Sequence, residues 1–194
     1  MIKDKTLHII SCGPGLSEIN EKHGRSCDWI RQIIGDRVQN VNIVNVYDGV
    51  LPSCKNDDVW VIMGSRYSVY NDINWIDTFR NHIKTGIKKE IPMLGICFGH
   101  QIIGSALGAR VVNNDKGWDL GSSEIELTKE GQNSILFKGF KSKFLAYESH
   151  HDVLIDLPAN VSLLAKNKYG IQSFSYSDFI FGVQFHPEFD FKIM

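Results

Sequence analysis

The chain has 194 residues, of which 43% are hydrophobic and 22% are charged, and this is the size and make-up of one globular domain. Such a composition excludes disordered, collagen-like and coiled-coil proteins. The 21 basic and 22 acidic residues leave a net charge of -1, so no charge excess draws the chain to nucleic acid or to anionic lipid. No apolar run approaches the roughly 20 residues of a membrane helix, and the first residues lack the apolar centre of a signal peptide. We therefore expect a cytoplasmic protein with a small-molecule ligand and without a nucleic-acid or membrane partner.

Short β-branched runs alternate with helical patterns through the first half of the chain. This order is typical of a parallel sheet with helices on both of its faces. The strands predicted in this half span residues 7–11, 41–46, 59–63 and 93–97. The helices predicted from apolar residues at helical spacing span 29–34, 75–87 and 102–107. Asp28 is the expected N-cap of the first helix, and Gly35 and Gly108 are expected to end the first and the last.

From Arg110 onward the pattern changes to short strand-like pieces joined by turns. The strands predicted there span residues 111–112, 124–127, 144–147, 171–176 and 180–185. Ser177 and Asp178 predict a hairpin turn between the last two. Since no repeat or flexible linker interrupts the chain, we expect one domain over residues 1–194. The predicted fold class is α/β: a flavodoxin-like, open, mainly parallel sheet with helices on both faces, plus antiparallel strands in the C-terminal half.

A cysteine stands between two glycines where the fourth predicted strand meets the next helix, in Gly95-Ile-Cys97-Phe-Gly99. This is the pattern of a nucleophile elbow with sulfur in place of the serine oxygen, because a sharp turn strains the nucleophile's backbone and leaves no room for side chains two residues away. The first turn of the helix would aim unpaired N–H groups and a partial positive charge at the sulfur, which favours the thiolate. A buried cysteine beside packing glycines would give the same pattern. The other three cysteines form no Cys-x-x-Cys pair.

A thiolate nucleophile works with a base that carries a proton to the leaving group, and the base needs an orienting partner. Of the seven histidines, only His186 stands at the end of a predicted strand with a carboxylate two residues on, in Phe185-His186-Pro187-Glu188. Residues i and i+2 of an extended segment point the same way, so Glu188 can reach the imidazole and set its tautomer. Cys97, His186 and Glu188 are therefore the predicted catalytic residues, although a histidine at a strand end is more often structural.

Together the two motifs resemble those of the class I (triad) glutamine amidotransferases. The similarity rests on Gly95-Ile-Cys-Phe-Gly-His-Gln101, with Gly104 and Ala106-Leu-Gly108 after it, and on Gly182-Val-Gln-Phe-His-Pro-Glu188. The resemblance implies that Cys97 attacks the side-chain carboxamide of glutamine, that His186 moves the proton that leaves with ammonia, and that Glu188 orients His186. It further implies a γ-glutamyl thioester that is then hydrolysed to glutamate.

The resemblance also implies an oxyanion site. The family has a glycine pair at the end of the third strand, where this chain has Gly64 and Ser65. The two donors would be the backbone amides of Phe98 and Ser65, and Gly64 would leave room for the substrate. Because the donor is main chain, its N–H survives the change from glycine to serine. Gly-Ser after a strand is also an ordinary loop sequence.

Three further residues are expected at the substrate. In the family, the glutamine that corresponds to Gln101 helps to hold the substrate, and the segment that matches Ser149 and His150 grips the amino-acid part of glutamine. His150, His151 and Asp152 could alternatively suggest a metal site, but three adjacent residues cannot all point inward. We expect no metal and no organic cofactor.

Two other segments resemble a free-standing, amidotransferase-like subgroup that includes γ-glutamyl peptidases: Lys116-Gly-Trp-Asp-Leu-Gly121, and Ser68-Val-Tyr-Asn-Asp72 with Trp75. Three functions therefore stay open. The first is a glutaminase, whose ammonia would go to a synthase subunit. The second is a free-standing γ-glutamyl hydrolase or peptidase acting on γ-glutamyl peptides or amines. The third is a catalytically inactive regulatory or binding module. A nucleotide-binding Rossmann protein is excluded, because the glycines from Gly104 to Gly108 lie inside a predicted helix and not at its start.

Overall fold

The computed structural model describes residues 2–193, and the side chains of residues 5–193. In this part the chain forms eleven strands and five α-helices. The strands are β1 (Ile2–Ser11), β2 (Val38–Asn45), β3 (Asp58–Ile62), β4 (Met93–Ile96), β5 (Arg110–Asn113), β6 (Asp119–Leu127), β7 (Lys143–His150), β8 (Asp152–Ile155), β9 (Ser162–Asn167), β10 (Gly170–Tyr176) and β11 (Ile180–Val183). The helices are α1 (Ser17–His23), α2 (Ser26–Ile34), α3 (Asn74–Lys88), α4 (Phe98–Leu107) and α5 (Lys129–Asn133).

Nine of these strands form one sheet, in the order β2-β1-β3-β4-β11-β10-β9-β6-β7, and β5 pairs separately with β8. Every pairing from β2 through to β11 is parallel. Every pairing from β11 onward to β7 is antiparallel. The structure thus confirms the predicted fold class: the parallel strands β1 to β4 come from the first half of the chain, and the second half adds β11, parallel to β4, and the antiparallel strands.

Each face of the parallel strands has its own core, because successive side chains of a strand point to opposite faces. In β3, the buried Trp60 and Ile62 pack on the face that α3 and α4 cover. Val61, between them, packs on the other face with residues of α2. Strands that are covered on both sides need apolar residues throughout, which explains the continuous apolar runs in the sequence.

The carboxyl ends of three adjacent parallel strands meet at one edge of the sheet. β3 leads into Gly64, β4 leads into Cys97, and β11 leads towards His186. Parallel neighbours end at the same edge, and in open α/β sheets this is where ligands bind. Residues far apart in the chain therefore come together here.

The local predictions differ from the structure at a few points. α2 begins at Ser26, and Asp28 lies in its first turn, where its Oδ2 accepts a hydrogen bond from the Arg25 N–H at 3.1 Å. The predicted N-cap role of Asp28 is wrong, since its carboxylate closes the turn from inside the helix. α1, which buries no residue and so has no core-facing stripe, is a helix that the periodicity does not predict. Among the described residues, no helix combines the length and the apolar character needed to span a bilayer.

Candidate active site

Cys97 lies at a strained turn between β4 and α4. Its backbone has φ 53° and ψ -105°, in a region that residues other than glycine rarely adopt. A Cβ on Gly95 would lie 2.4 Å from the carbonyl carbon of Gly99, and a Cβ on Gly99 would lie 2.1 Å from the carbonyl oxygen of Ile62. Both glycines are therefore required by the close approach of β4, α4 and β3. The turn sets Cys97 immediately before the first residue of α4, beside the positive end of the helix dipole.

His186 is held by Glu188. The imidazole Nδ1 lies 2.9 Å from the Glu188 Oε1, and both side chains are buried. A carboxylate can only accept, so Nδ1 carries the proton and Nε2 is left as the basic nitrogen. Among the described residues, Nε2 has no hydrogen-bond partner.

Cys97 and His186 meet at Gly64. A Cβ on Gly64 would lie 3.2 Å from Cε1 of His186 and 3.6 Å from Cβ of Cys97, so a larger residue would crowd the imidazole. Burial alone lowers the pKa of His186, but the charges of Glu188 and Cys97, together with the hydrogen bond to Glu188, raise this pKa well above its ordinary value. Cys97 and His186, two of the residues that the sequence motifs name, thus both lie against Gly64.

An aromatic ring covers one face of the imidazole. Phe189 is stacked on His186, with ring centroids 4.0 Å apart and planes 11° from parallel. Trp29 of α2 meets Phe189 edge-on at 5.9 Å and 75°. The ring of His186 is therefore fixed both by its bond to Glu188 and by packing against Phe189.

The expected oxyanion donors lie in the loops after β3 and β4. The Ser65 hydroxyl donates to the carbonyl oxygen of Cys12 at 2.7 Å and accepts from the Tyr67 N–H at 3.2 Å, so this side chain fixes the loop. Phe98 is the first residue of α4, and its N–H has no acceptor within the helix. Within the described residues, neither the Phe98 nor the Ser65 amide donates to a protein acceptor. Ser65 lines the cleft, whereas Phe98 is buried and is not among the residues that line it, so the role of the two amides as oxyanion donors stays a prediction.

Gln101 lines the same cleft, but its amide nitrogen is already used. Nε2 donates to the carbonyl oxygen of Asp152 and to Oε1 of Gln184, both at 3.1 Å. The side chain is 3% exposed, so these bonds fix its orientation. The carbonyl oxygen of Gln101 remains as the group that can accept a hydrogen bond from a substrate.

Ser149 and His150 also line the cleft, but His150 turns its nitrogens into the protein. Its Nδ1 lies 3.1 Å from the carbonyl oxygen of Asp152. Its Nε2 lies 3.1 Å from Oε2 of Glu148 and 3.9 Å from Oδ2 of Asp119. Both ring nitrogens of His150 therefore face protein atoms, although the residue lines the cleft together with Ser149.

Asp119, Glu148 and His150 form a buried group whose ligand atoms all lie within 4.8 Å of one another. Carboxylates and imidazole are donors that Zn²⁺ accepts, so this group could hold a metal ion. Burial also raises the pKa of Glu148, so its carboxyl group holds a proton more tightly than a free one, which lowers the charge of the group without a metal. Asp119 is further bound by Ser123 and Asn167. His151, one of the three adjacent residues in the metal-site alternative that the sequence disfavours, packs edge-on against Trp118.

The cleft around Cys97 and His186 has a volume of about 480 Å³. Its lining includes two groups of residues that differ in chemistry. We call Gln101, Ser149, His150 and Asp152, together with Trp118 and Leu120, the polar lobe. We call Leu16, Ile19, Trp29, Phe189 and Ile193 the apolar lobe, in which Phe189 packs against both His186 and Trp29. A ligand bound at the sulfur can therefore contact both kinds of surface.

Sequence reasoning missed the apolar lobe, the stacked Phe189 and the buried partners of His150. Trp29 belongs to the predicted helix stripe, and it is buried, but it also borders the cleft. The edge contact of Trp29 with Phe189 joins residues 160 positions apart, and no local pattern signals such a pair. Glu148 could have been suspected, because it directly follows the apolar run of residues 144–147, where a buried acidic residue needs a partner.

Known proteins share both the sequence and the fold of this chain. A family model described as "Glutamine amidotransferase class-I" matches residues 23–193. A solved glutamine amidotransferase from Thermotoga maritima superposes with a TM-score of 0.82 at 23% identity, covering 98% of this chain and 79% of that one. At this identity the superposition shows that the two proteins share a fold, and no more than that.

Two curated relatives have different names. "Gamma-glutamyl peptidase 4" of Arabidopsis thaliana is 30% identical over 100% of this chain and 80% of its own length. The glutamine-hydrolysing GMP synthase subunit of Sulfolobus acidocaldarius is 32% identical over 73% of this chain and 72% of its own length. The family match extends over most of the chain, from α1 to beyond Glu188, and includes the Cys97 turn. This chain therefore belongs to the class I glutamine amidotransferase family.

Proposed function

We propose that the protein hydrolyses the amide bond at the γ-carbonyl of a glutamyl group, through a thioester on Cys97. The observation that carries the proposal is the meeting, at Gly64, of the strained Cys97 turn with the buried His186–Glu188 pair. Glutamine is the reference substrate, and its products are glutamate and ammonia.

In the first half of the reaction, the sulfur of Cys97 attacks the γ-carbonyl carbon and a C–S bond forms. The carbonyl oxygen becomes an oxyanion, which the amides of Phe98 and Ser65 stabilise. His186 has taken the proton of the thiol and gives it to the amide nitrogen, so that the C–N bond breaks and the amine leaves neutral. Glu188 stabilises the imidazolium that exists between these two proton transfers.

In the second half, water takes the place of the amine. Nε2 of His186 accepts a proton from the water as its oxygen attacks the thioester carbon. The same two amides hold the second oxyanion, the C–S bond breaks, and the proton returns to the sulfur. Glutamate is released and the enzyme regains its first state. One base, His186, therefore serves both halves.

Replacing the nucleophile tests the proposal directly. In the Cys97→Ala protein, the rate of glutamate release from glutamine and from γ-glutamyl amides should fall below about one thousandth of the unmodified rate. Cys54→Ala, a half-buried cysteine outside the cleft, is the matched control and should keep full activity. A Cys97→Ala protein that still releases glutamate would refute the mechanism.

A free-standing γ-glutamyl hydrolase is the second candidate, and a specific observation favours it. The cleft volume of about 480 Å³ is in the range that binds drug-sized ligands. This volume is larger than a substrate with ammonia as its leaving group requires. The relative named as a γ-glutamyl peptidase supports this reading, whereas the relative named as part of a GMP synthase supports a glutaminase that serves a synthase. Steady turnover by the isolated chain discriminates them, since a dependent glutaminase should be nearly silent without its synthase.

An inactive regulatory module is the third candidate, and labelling tests it. A glutamine analogue that carries a γ-diazoketone should alkylate Cys97 alone, and intact-mass and peptide analysis should find one adduct. The His186→Ala protein should react much more slowly, because it lacks the base. No adduct on Cys97 in the unmodified protein would favour the inactive module.

A further inference from the structure

The apolar lobe begins at the catalytic base. Phe189, which is stacked on the imidazole of His186, forms its inner wall, and Trp29 extends that wall away from Cys97. In the proposed function, His186 protonates the leaving nitrogen, so this nitrogen must lie within hydrogen-bond reach of the imidazole. The substituent on the nitrogen then continues along the wall that Phe189 starts.

The lobe is poor in polar partners. α1 buries none of its residues, and the side chain of Leu16, which precedes it, is 59% exposed although it borders the cleft. The polar neighbour Asn20 already donates to the carbonyl oxygen of Pro14 at 2.7 Å. The five residues that define the lobe are all uncharged; Arg66, which also lines the cleft, belongs to the loop after β3. A charged substituent would lose its water there without gaining a partner, whereas an apolar one would cover Leu16 and Ile19.

We propose that the leaving group that this lobe accepts is an uncharged, bulky amine with an aromatic or branched apolar body. The preferred substrate is then a γ-glutamyl amide of such an amine, and glutamine is a poor one. This inference rests on the proposed function, since it takes Cys97 and His186 as nucleophile and acid. The polar lobe, with Gln101 and Ser149, holds the glutamyl half.

The bond changes are those of the proposed reaction with a larger amine. The C–S bond to Cys97 forms, the C–N bond breaks, and the proton from His186 goes to the nitrogen, so that the free amine leaves along the apolar lobe. Water then completes the hydrolysis. No oxidant, reductant or metal is needed for the balance.

Kinetics with three substrates test the inference. We expect kcat/KM for γ-glutamyl-benzylamide to exceed that for glutamine and for γ-glutamylglycine by at least tenfold. Leu16→Asp should cut the benzylamide-to-glutamine ratio of kcat/KM by about tenfold. Leu120→Asp, at the rim of the polar lobe, and Leu145→Asp, on the exposed face of β7, are matched controls that should leave this ratio unchanged.

Binding to the Cys97→Ala protein separates this inference from the proposed function. Calorimetry should find γ-glutamyl-benzylamide at least tenfold tighter than glutamine, whether or not turnover occurs in the unmodified protein. Tighter binding without any hydrolysis would uphold the lobe and overturn the proposed function. Hydrolysis that prefers glutamine or γ-glutamylglycine, or a ratio that changes in Leu120→Asp but not in Leu16→Asp, would overturn the lobe assignment alone. Neither hydrolysis nor preferential binding would overturn both.

Discussion

Replacing Glu188 by glutamine keeps the size of the side chain and removes its charge. In the folded protein, Oε1 of Glu188 lies 2.9 Å from Nδ1 of His186, and both groups are buried. The centres of the two charges are then about 4 Å apart, where two unit charges attract by about 4 kcal/mol at an effective dielectric constant of 20. His186 is charged while it carries the proton from the sulfur to the leaving nitrogen. Losing the attraction of Glu188 therefore raises the free energy of the transition state for acylation. At about 1.4 kcal/mol for each factor of ten, we expect acylation to slow by about a thousandfold.

The assay is the single-turnover release of an amine from a chromogenic γ-glutamyl anilide, which reports acylation of Cys97 without the later hydrolysis. The matched control is Glu130→Gln, an exposed glutamate in α5, which should acylate at the unmodified rate. Unfolding curves of both variants should show a folded protein under the assay conditions. A Glu188→Gln protein that acylates within threefold of the unmodified rate would show that the carboxylate does not stabilise the imidazolium.

Three other outcomes follow from the site. Ser65→Pro removes one proposed oxyanion donor and should lower kcat by about a hundredfold to a thousandfold, whereas Ser65→Gly should retain activity, as initial rates with glutamine will check. Phe189→Leu removes the ring stacked on His186, and it should lower kcat by about twofold to tenfold and shift the acidic limb of the pH–rate profile. An unchanged profile would show that Phe189 only fills space beside His186. The raised pKa of Glu148 means that the folded protein binds the carboxyl proton of Glu148 more tightly than the unfolded chain does. Proton binding therefore stabilises the fold fully below the pKa of Glu148 in the unfolded chain, and this stabilisation is lost as the pH rises through its pKa in the folded protein. Glu148→Gln should therefore flatten the fall in unfolding free energy that accompanies this rise in pH in urea titrations, and an equally steep fall in the variant would exclude Glu148 as its source.

The turn at Cys97 could be predicted because its causes are local. Gly95 and Gly99 are needed for close contacts within a short stretch of chain, and those contacts leave a readable pattern. The C-terminal ends of α2 and α4 could be predicted for the same reason, because Gly35 and Gly108, the glycines that follow them, both have positive φ. Parallel strands covered on two sides also leave continuous apolar runs, so the first half of the sheet was predictable in type and approximate position.

The rest of the site depends on contacts between distant segments. α1 has no buried face, and the periodicity that identifies helices is therefore missing from it. Glu148 belongs to the buried group only because His150 and Asp119 lie close to it. Asp119 lies opposite His150 only when β6 is paired with β7. The resemblance to a known family located Ser149 and His150 at the cleft, but it did not indicate that the nitrogens of His150 would face away from the ligand.

The position of β11 has a consequence for the nascent chain. This strand is synthesised after both of its neighbours, β4 and β10, yet it lies between them in the middle of the sheet. A polypeptide emerging from the ribosome thus carries the thiol of Cys97 long before the residue that makes it reactive, and a gap must stay open until Ile180–Val183 arrives. Such non-local pairing is slow, so the last step of folding and the onset of reactivity should coincide. Chains that lack this segment and all that follows it also lack His186 and Glu188, so we expect them to show none of the proposed hydrolysis.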